Sequence, residues 1–169
     1  VETAECWALA LENTEGPSGM VLTRQGVSLQ RLDHTDDNLC RRGGYIMAEG
    51  GIGERKVTLL ATGSEVQIAM AARDKLQTDG ISTAVVSMPC WELFNDQDNT
   101  YSENVLGPNT FRVAIEAGVR MGWDRYIGEQ GEFIGMTSFG ASAPGGKLFE
   151  HFGITADIVA ATVLNRLKN

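Results

Sequence analysis

Arg24 is the side chain best placed, by type and position, to hold a ligand. It follows the apolar run Met20-Val21-Leu22-Thr23, which reads as a short strand, and ligands of open parallel sheets bind just beyond the strands' carboxyl ends. A guanidinium grips a phosphate through two parallel hydrogen bonds at fixed geometry, which suits a phosphate-bearing substrate. The same position equally suits a structural arginine paired with a carboxylate at a sheet edge. Gln25 shares the neighbourhood and reads as a support for the backbone.

Other candidates are weaker. Thr62-Gly63-Ser64 lies between a strand and a helix, where free N–H groups could meet an anion. The glycines and lysine of a dinucleotide fingerprint or a phosphate loop are missing, so a capped tight turn is the expectation. Cys90 follows Pro89 at a strand end but has no histidine or basic residue nearby, and reads as a packed thiol. His34 and His151 are isolated and make no metal site. Glu116 and Glu150 have the chemistry of an acid/base pair, but isolated glutamates more often form ion pairs. Trp91, Trp123 and Tyr126 beside Arg125 suit core packing or a subunit contact.

These residues must be positioned by an α/β framework. Ala4, Trp7, Ala8 and Leu11 fall on one face of a helix, and Gly16-Pro17-Ser18-Gly19 stops it. The helix and the following strand read as the last unit of a sheet whose other strands lie upstream; left alone, they would expose an apolar face and an unpaired edge. From Leu32 to Arg55 polar residues and the glycines at 43, 44, 50, 51 and 53 read as a linker, with Tyr45-Ile46-Met47 a short extended segment.

Beyond the linker, Val57-Thr58-Leu59-Leu60-Ala61 is the continuous apolar run of a strand buried on both faces. Ser64 and Gln67 have the spacing of a capping box. The helix they open buries Val66, Ala69, Met70 and Leu76 and stops at Gly80. Thr83 to Met88 is the next strand, and this strand–helix–strand unit predicts a parallel crossover. Phe111–Ile115 and Glu132–Gly135 are further strands. Thr155 caps a last helix with Ala156, Val159, Ala160, Val163 and Leu167 on one face.

The chain has 169 residues, 43% of them hydrophobic and 21% charged, enough apolar material for a packed core. Its formal net charge of -8 disfavours nucleic acid or an anionic membrane as partner. Cys6, Cys40 and Cys90 form no CxxC pattern and read as reduced thiols of a cytoplasmic protein. No apolar run approaches the length of a membrane span, and no basic-then-apolar leader is seen. The sequence starts at Val1 and enters a helical pattern at once, the expectation for a piece of a longer polypeptide.

Read in order, the segments resemble the transketolase family. Val21-Leu22-Thr23-Arg24-Gln25, Gly43-Gly44-Tyr45-Ile46 and Ala61-Thr62-Gly63-Ser64-Glu65-Val66 are similar to family motifs. So are Val86 through Phe94 (VSMPCWELF), Tyr101 through Leu106 (YSENVL) and Val113 through Gly118 (VAIEAG). Trp123 through Gly128 (WDRYIG), Phe139 through Pro144 (FGASAP) and Leu148 through Gly153 (LFEHFG) complete the series. One such string would be weak; the ordered set covers essentially the whole chain.

The resemblance implies a map. Residues 1–31 would end a pyrimidine-binding domain, 32–55 would be the linker, and 56–169 the C-terminal domain. The fold implied is three-layer α/β with a mostly parallel, mixed sheet. The activity implied is transfer of a two-carbon ketol unit between sugar phosphates by a homodimer that uses thiamine diphosphate and Mg2+ (or Ca2+). The ligands of both would lie upstream of this chain, leaving Arg24 to contact the substrate phosphate and the isolated chain inactive. Alternatives are a non-catalytic α/β interaction or regulatory module, or the matching part of dihydroxyacetone synthase or deoxyxylulose phosphate synthase; the strings at 87–94 and 139–144 lean away from the last.

Overall fold

The computed structural model describes residues 1–33, 35–51 and 53–168. Its elements in chain order are α1 (Glu2–Glu12), β1 (Tyr45–Ala48), β2 (Val57–Ala61), α2 (Val66–Thr78), β3 (Thr83–Ser87), α3 (Trp91–Asn95), α4 (Asn99–Leu106), β4 (Phe111–Ile115), α5 (Asp124–Ile127), β5 (Glu132–Ile134), α6 (Gly145–His151) and α7 (Ala156–Lys168). Single 3-10 turns occupy Leu39–Arg42 and Gly63–Glu65.

The strands form one sheet in the order β1-β3-β2-β4-β5. β2, β3, β4 and β5 run parallel, and β1 joins β3 antiparallel with an irregularity between Ile46 and Ala48. The central strands are buried on both faces because helices cover both. Leu59, Val85 and Val113 point to one layer with Val66, Ala69 and Leu76 of α2 and Val159 and Val163 of α7. Leu60, Val86 and Ala114 point to the other, with Phe94, Val105, Trp123 and Tyr126. A fully buried leucine or valine contributes roughly 1.5–3 kcal/mol, so these layers carry the fold.

Several sequence expectations hold. α2 ends with Gly80 left-handed at φ 75°, its N–H on the Gln77 carbonyl. Thr155 Oγ1 accepts from the Ile158 N–H at 3.4 Å at the start of α7.

Others are corrected. Met20–Thr23 is no strand: Val21 is fully exposed and Leu22 is 58% exposed, because no neighbouring strand satisfies that backbone. The Ser64–Gln67 capping box does not form; Ser64 Oγ donates to Glu65 Oε1 and Gln67 Oε1 turns to Ser28. Leu167, near the end of α7, is 44% exposed. Tyr45-Ile46-Met47, read as a short extended segment of the linker, is extended and also pairs with β3 as β1 of the sheet. His34 lies outside the described residues. Among those described, no helix is long and apolar enough to cross a membrane.

Two left-handed glycines test how tightly the strand connections pack. Gly43 has φ 75°, and a Cβ there would overlap the Cys90 carbonyl oxygen and the Phe94 nitrogen; Gly63 has φ 55° with nothing within 4 Å. Gly63→Ala should therefore cost only the left-handed penalty, about 1 kcal/mol. Gly43→Ala adds a backbone collision and should cost on the order of 3 kcal/mol. Urea unfolding midpoints of the two variants at unchanged m-value check the difference.

Candidate functional site

The carboxyl ends of β2, β3 and β4 define the edge where an open sheet can bind ligands. Three pieces meet there: α1, the segment from Asn13 to Asn38, and the turn that opens α2.

α1 buries none of its residues. It is held instead by two carboxylates. Glu2 Oε1 accepts from Ser87 Oγ at 2.5 Å, at the end of β3, and from the Tyr45 hydroxyl at 3.0 Å. Glu5 receives the Arg31 guanidinium and the Cys40 N–H, the latter at 3.2 Å. Burial opposes the Glu5 charge, but the hydrogen bonds from Arg31 and Cys40 outweigh it and hold its pKa below the ordinary value. The expected apolar face points outward, with Trp7 54% and Leu11 76% exposed.

The segment after α1 crosses the edge as an irregular strap. The Asn13 amide closes its first turn onto Ser18 Oγ at 3.1 Å. Ser28 Oγ donates to Gln67 Oε1 at 3.1 Å near the start of α2. Gln25 lies against Gly145, its carboxamide 3.7 Å from where a Cβ would stand. Arg24 sits between these anchors, exposed, and its guanidinium pairs with no carboxylate among the described residues. The structural ion pair considered for it from the sequence is absent.

A pair of acids lies at the same edge. Ala61 of β2 is in register with Ile115 of β4. The turn at Thr62–Ser64 folds Glu65 back over β4, where it is 4% exposed. Ser64 Oγ donates to Glu65 Oε1 at 2.7 Å, and the Ala117 N–H and the Glu116 carboxyl also hydrogen-bond Glu65. Burial raises the Glu65 pKa against those hydrogen bonds. Burial and then the adjacent Glu65 push Glu116 up to about 7. Two carboxyls this close share a proton rather than both ionise. They fill the start of α2 with acid, which opposes an external anion at Thr62–Ser64.

The Glu116–Glu150 pair weighed from the sequence does not form, and Glu116 meets Glu65 instead. Glu150 is exposed on α6. Nothing in the local sequence marks Glu65 as its partner; only the β2–β4 register brings it to Glu116. The Cys90 thiol donates to Glu92 Oε2 at 3.5 Å, and burial and that carboxylate raise its pKa, so it is no activated nucleophile. His151 packs edge-on to Phe152 at 4.9 Å. Trp91, Trp123 and Tyr126 form an edge-to-face cluster, with Trp91 4.9 Å from Trp123, inside the second layer.

A family model described as the transketolase-like C-terminal domain matches residues 43–155. The chain belongs to the transketolase family. It is 52% identical over 169 residues to the transketolase of Sinorhizobium medicae, covering 99% of this chain and 24% of that relative. Transketolase from Leishmania mexicana superposes with TM-score 0.88 at 36% identity, over 99% of this chain and 24% of that one. The Pichia stipitis transketolase solved with sedoheptulose 7-phosphate superposes with TM-score 0.86 at 28% identity, over 99% of this chain and 24% of that one. The chain thus spans about a quarter of the length of the transketolases it matches.

The transketolase fold gives the Glu65–Glu116 pair a measurable signature. Both folded pKa values lie above the ordinary 4.5. The folded state therefore keeps protons that the unfolded chain has released, and stability falls as pH rises from about 4.5 through about 7. Glu116→Gln should flatten that slope and be more stable than the parent above pH 7. Urea midpoints measured across this range check it.

Proposed function

We propose that this chain supplies the C-terminal part of a transketolase that transfers a two-carbon ketol unit from a ketose phosphate to an aldose phosphate. The observation that carries the reading is 52% identity to a transketolase across all 169 residues. The sugar phosphate named with the Pichia stipitis structure supports the substrate class. In this reading residues 1–31 end the pyrimidine-binding domain, 32–55 connect, and 56–169 form the C-terminal domain, with β1 contributed to its sheet by the connecting stretch. The assembly is a homodimer in the cytoplasm, in keeping with three free thiols.

Thiamine diphosphate and its divalent metal do not fit the residues present. Among the described residues no three His, Cys, Asp or Glu side chains gather as a metal cage, and the acids at the carboxyl edge are two that share a proton. Both groups belong to upstream parts of the polypeptide, and no step through them falls to this chain.

Arg24 is the chain's contribution to substrate binding. An exposed guanidinium without a protein carboxylate, held beyond the carboxyl ends of the strands, suits the phosphate of a sugar phosphate. Such a contact is remote from the bond that breaks, so it orients the substrate and lowers KM, with part of its effect expressed in kcat.

Two outcomes test this. The purified 169-residue chain should not turn over xylulose 5-phosphate with ribose 5-phosphate; turnover would refute the assignment as a part. In the complete enzyme, Arg24→Ala should raise KM for phosphorylated sugars by about ten- to a hundredfold, the worth of one charge-assisted contact. An unchanged KM would remove Arg24 from the site.

A further inference from the structure

α1 presents Glu2, Glu5 and Cys6 to the Leu39–Arg42 turn. The Cys40 N–H donates to Glu5 Oε2 at 3.2 Å and the Asn38 amide to the Glu5 carbonyl at 3.0 Å, which fixes the turn against the start of the helix. The Cys40 thiol is aimed at the Glu2 carbonyl oxygen, 3.9 Å away. That carbonyl is the one the Cys6 N–H meets in the i to i−4 pattern of α1. The two cysteines therefore flank one peptide group, close enough that each thiol shifts the titration of the other.

We propose that Cys6 and Cys40 form a reversible disulfide, made by a hydroperoxide and undone by a thiol reductant, which staples α1 to the Leu39–Arg42 turn and closes the strap bearing Arg24 into a covalent loop.

The pair is asymmetric in the way such chemistry needs. Cys40 is 1% exposed and Cys6 half-buried, so an oxidant reaches Cys6 first. The neighbouring Cys40 thiol lowers the Cys6 pKa, against burial and the Glu2 and Glu5 carboxylates. The Cys6 thiol, then burial, then Glu5 and Glu2 raise that of Cys40. Cys6 is thus the attacking sulfur and Cys40 the resolving one. The Cys6 thiolate attacks the peroxide O–O bond, giving a sulfenic acid and releasing hydroxide. Cys40 sulfur then displaces the sulfenic oxygen, which leaves as water with the Cys40 proton. Two thiols are oxidised and one peroxide is reduced to two waters.

Closing the bond requires the two sulfurs to approach to about 2.05 Å. α1 can follow because it is held by polar contacts and buries no residue. Cys90 has no second cysteine partner and its thiol is engaged with Glu92, so it stays free.

The test is treatment of the protein with hydrogen peroxide, alkylation, and peptide mapping by mass spectrometry without reductant. The expected product is a peptide linking Cys6 to Cys40, lighter by two hydrogens and split by dithiothreitol, with Cys90 alkylated. Trypsin cleavage after Arg24 should then leave the N-terminal piece attached until reduction. Cys40→Ser should abolish the link and carry Cys6 on to the sulfinic acid, since nothing resolves the sulfenic intermediate. A sulfinic Cys6 beside an alkylated Cys40 in the unsubstituted protein would overturn the proposal, as would preferential linkage through Cys90.

Discussion

Glu2 and Glu5 hold α1 to the rest of the molecule by hydrogen bonds rather than by burial, and the arrangement at the carboxyl edge depends on that attachment. Glu2 reaches the last residue of β3 through Ser87 and the first residue of β1 through Tyr45. Glu5 gathers Arg31 from the strap and Cys40 from the turn before β1. The Arg31 and Glu5 side chains are only 9% and 14% exposed, so the pair is shielded from the screening that weakens surface ion pairs. Removing either carboxylate would leave polar donors without partners, which is where most of the cost of breaking such a network lies. The strap that carries Arg24 is tied at one end by this latch and further along by Ser28 on Gln67.

The sheet beneath imposes the opposite kind of order. Five strands packed between two apolar layers fix the ends of β2 and β4 side by side. That proximity forces Glu65 and Glu116 together, and burial makes full ionisation of both unfavourable. A proton shared between two buried carboxyls is a conditional bond, present only while one of them is protonated. The polar edge is thus joined to a rigid scaffold by groups whose attachment depends on charge: Glu5 must be ionised to hold Arg31, whereas Glu65 and Glu116 must not both be.

How much was legible in the sequence follows from the range of the forces involved. β2, β3, β4 and the Gly80 stop of α2 were readable because local pattern and burial agree there: continuous apolar runs, helical spacing, and one glycine at a left-handed position. β1 was seen only as an extended stretch, because its strand character comes from pairing with β3. Met20–Thr23 failed for the converse reason. Its β propensity is real, but propensity in strands is a fit to neighbours, and no strand lies beside it. The site divides the same way. Arg24 was found because it follows an apolar run. Glu65 was not found, because Ser64-Glu65 looks like an ordinary helix opening until the fold sets it against Glu116.

The apolar face of α1 carries the last step. Trp7 and Leu11 recur at helical spacing, yet they point away from the sheet, while the side that faces it is polar. Val21 and Leu22 are likewise exposed immediately before Arg24. Single exposed apolar side chains are ordinary, but here Trp7, Leu11, Val21 and Leu22 share one helix and the strap it leads into, whereas Val66, Ala69 and Leu76 of α2 are buried. α1 is thus latched by charge on one side and leaves its apolar pattern exposed on the other. Among the described residues the strap bearing Arg24 is restrained from the polar side, by Glu5 on Arg31 and by Ser28 on Gln67.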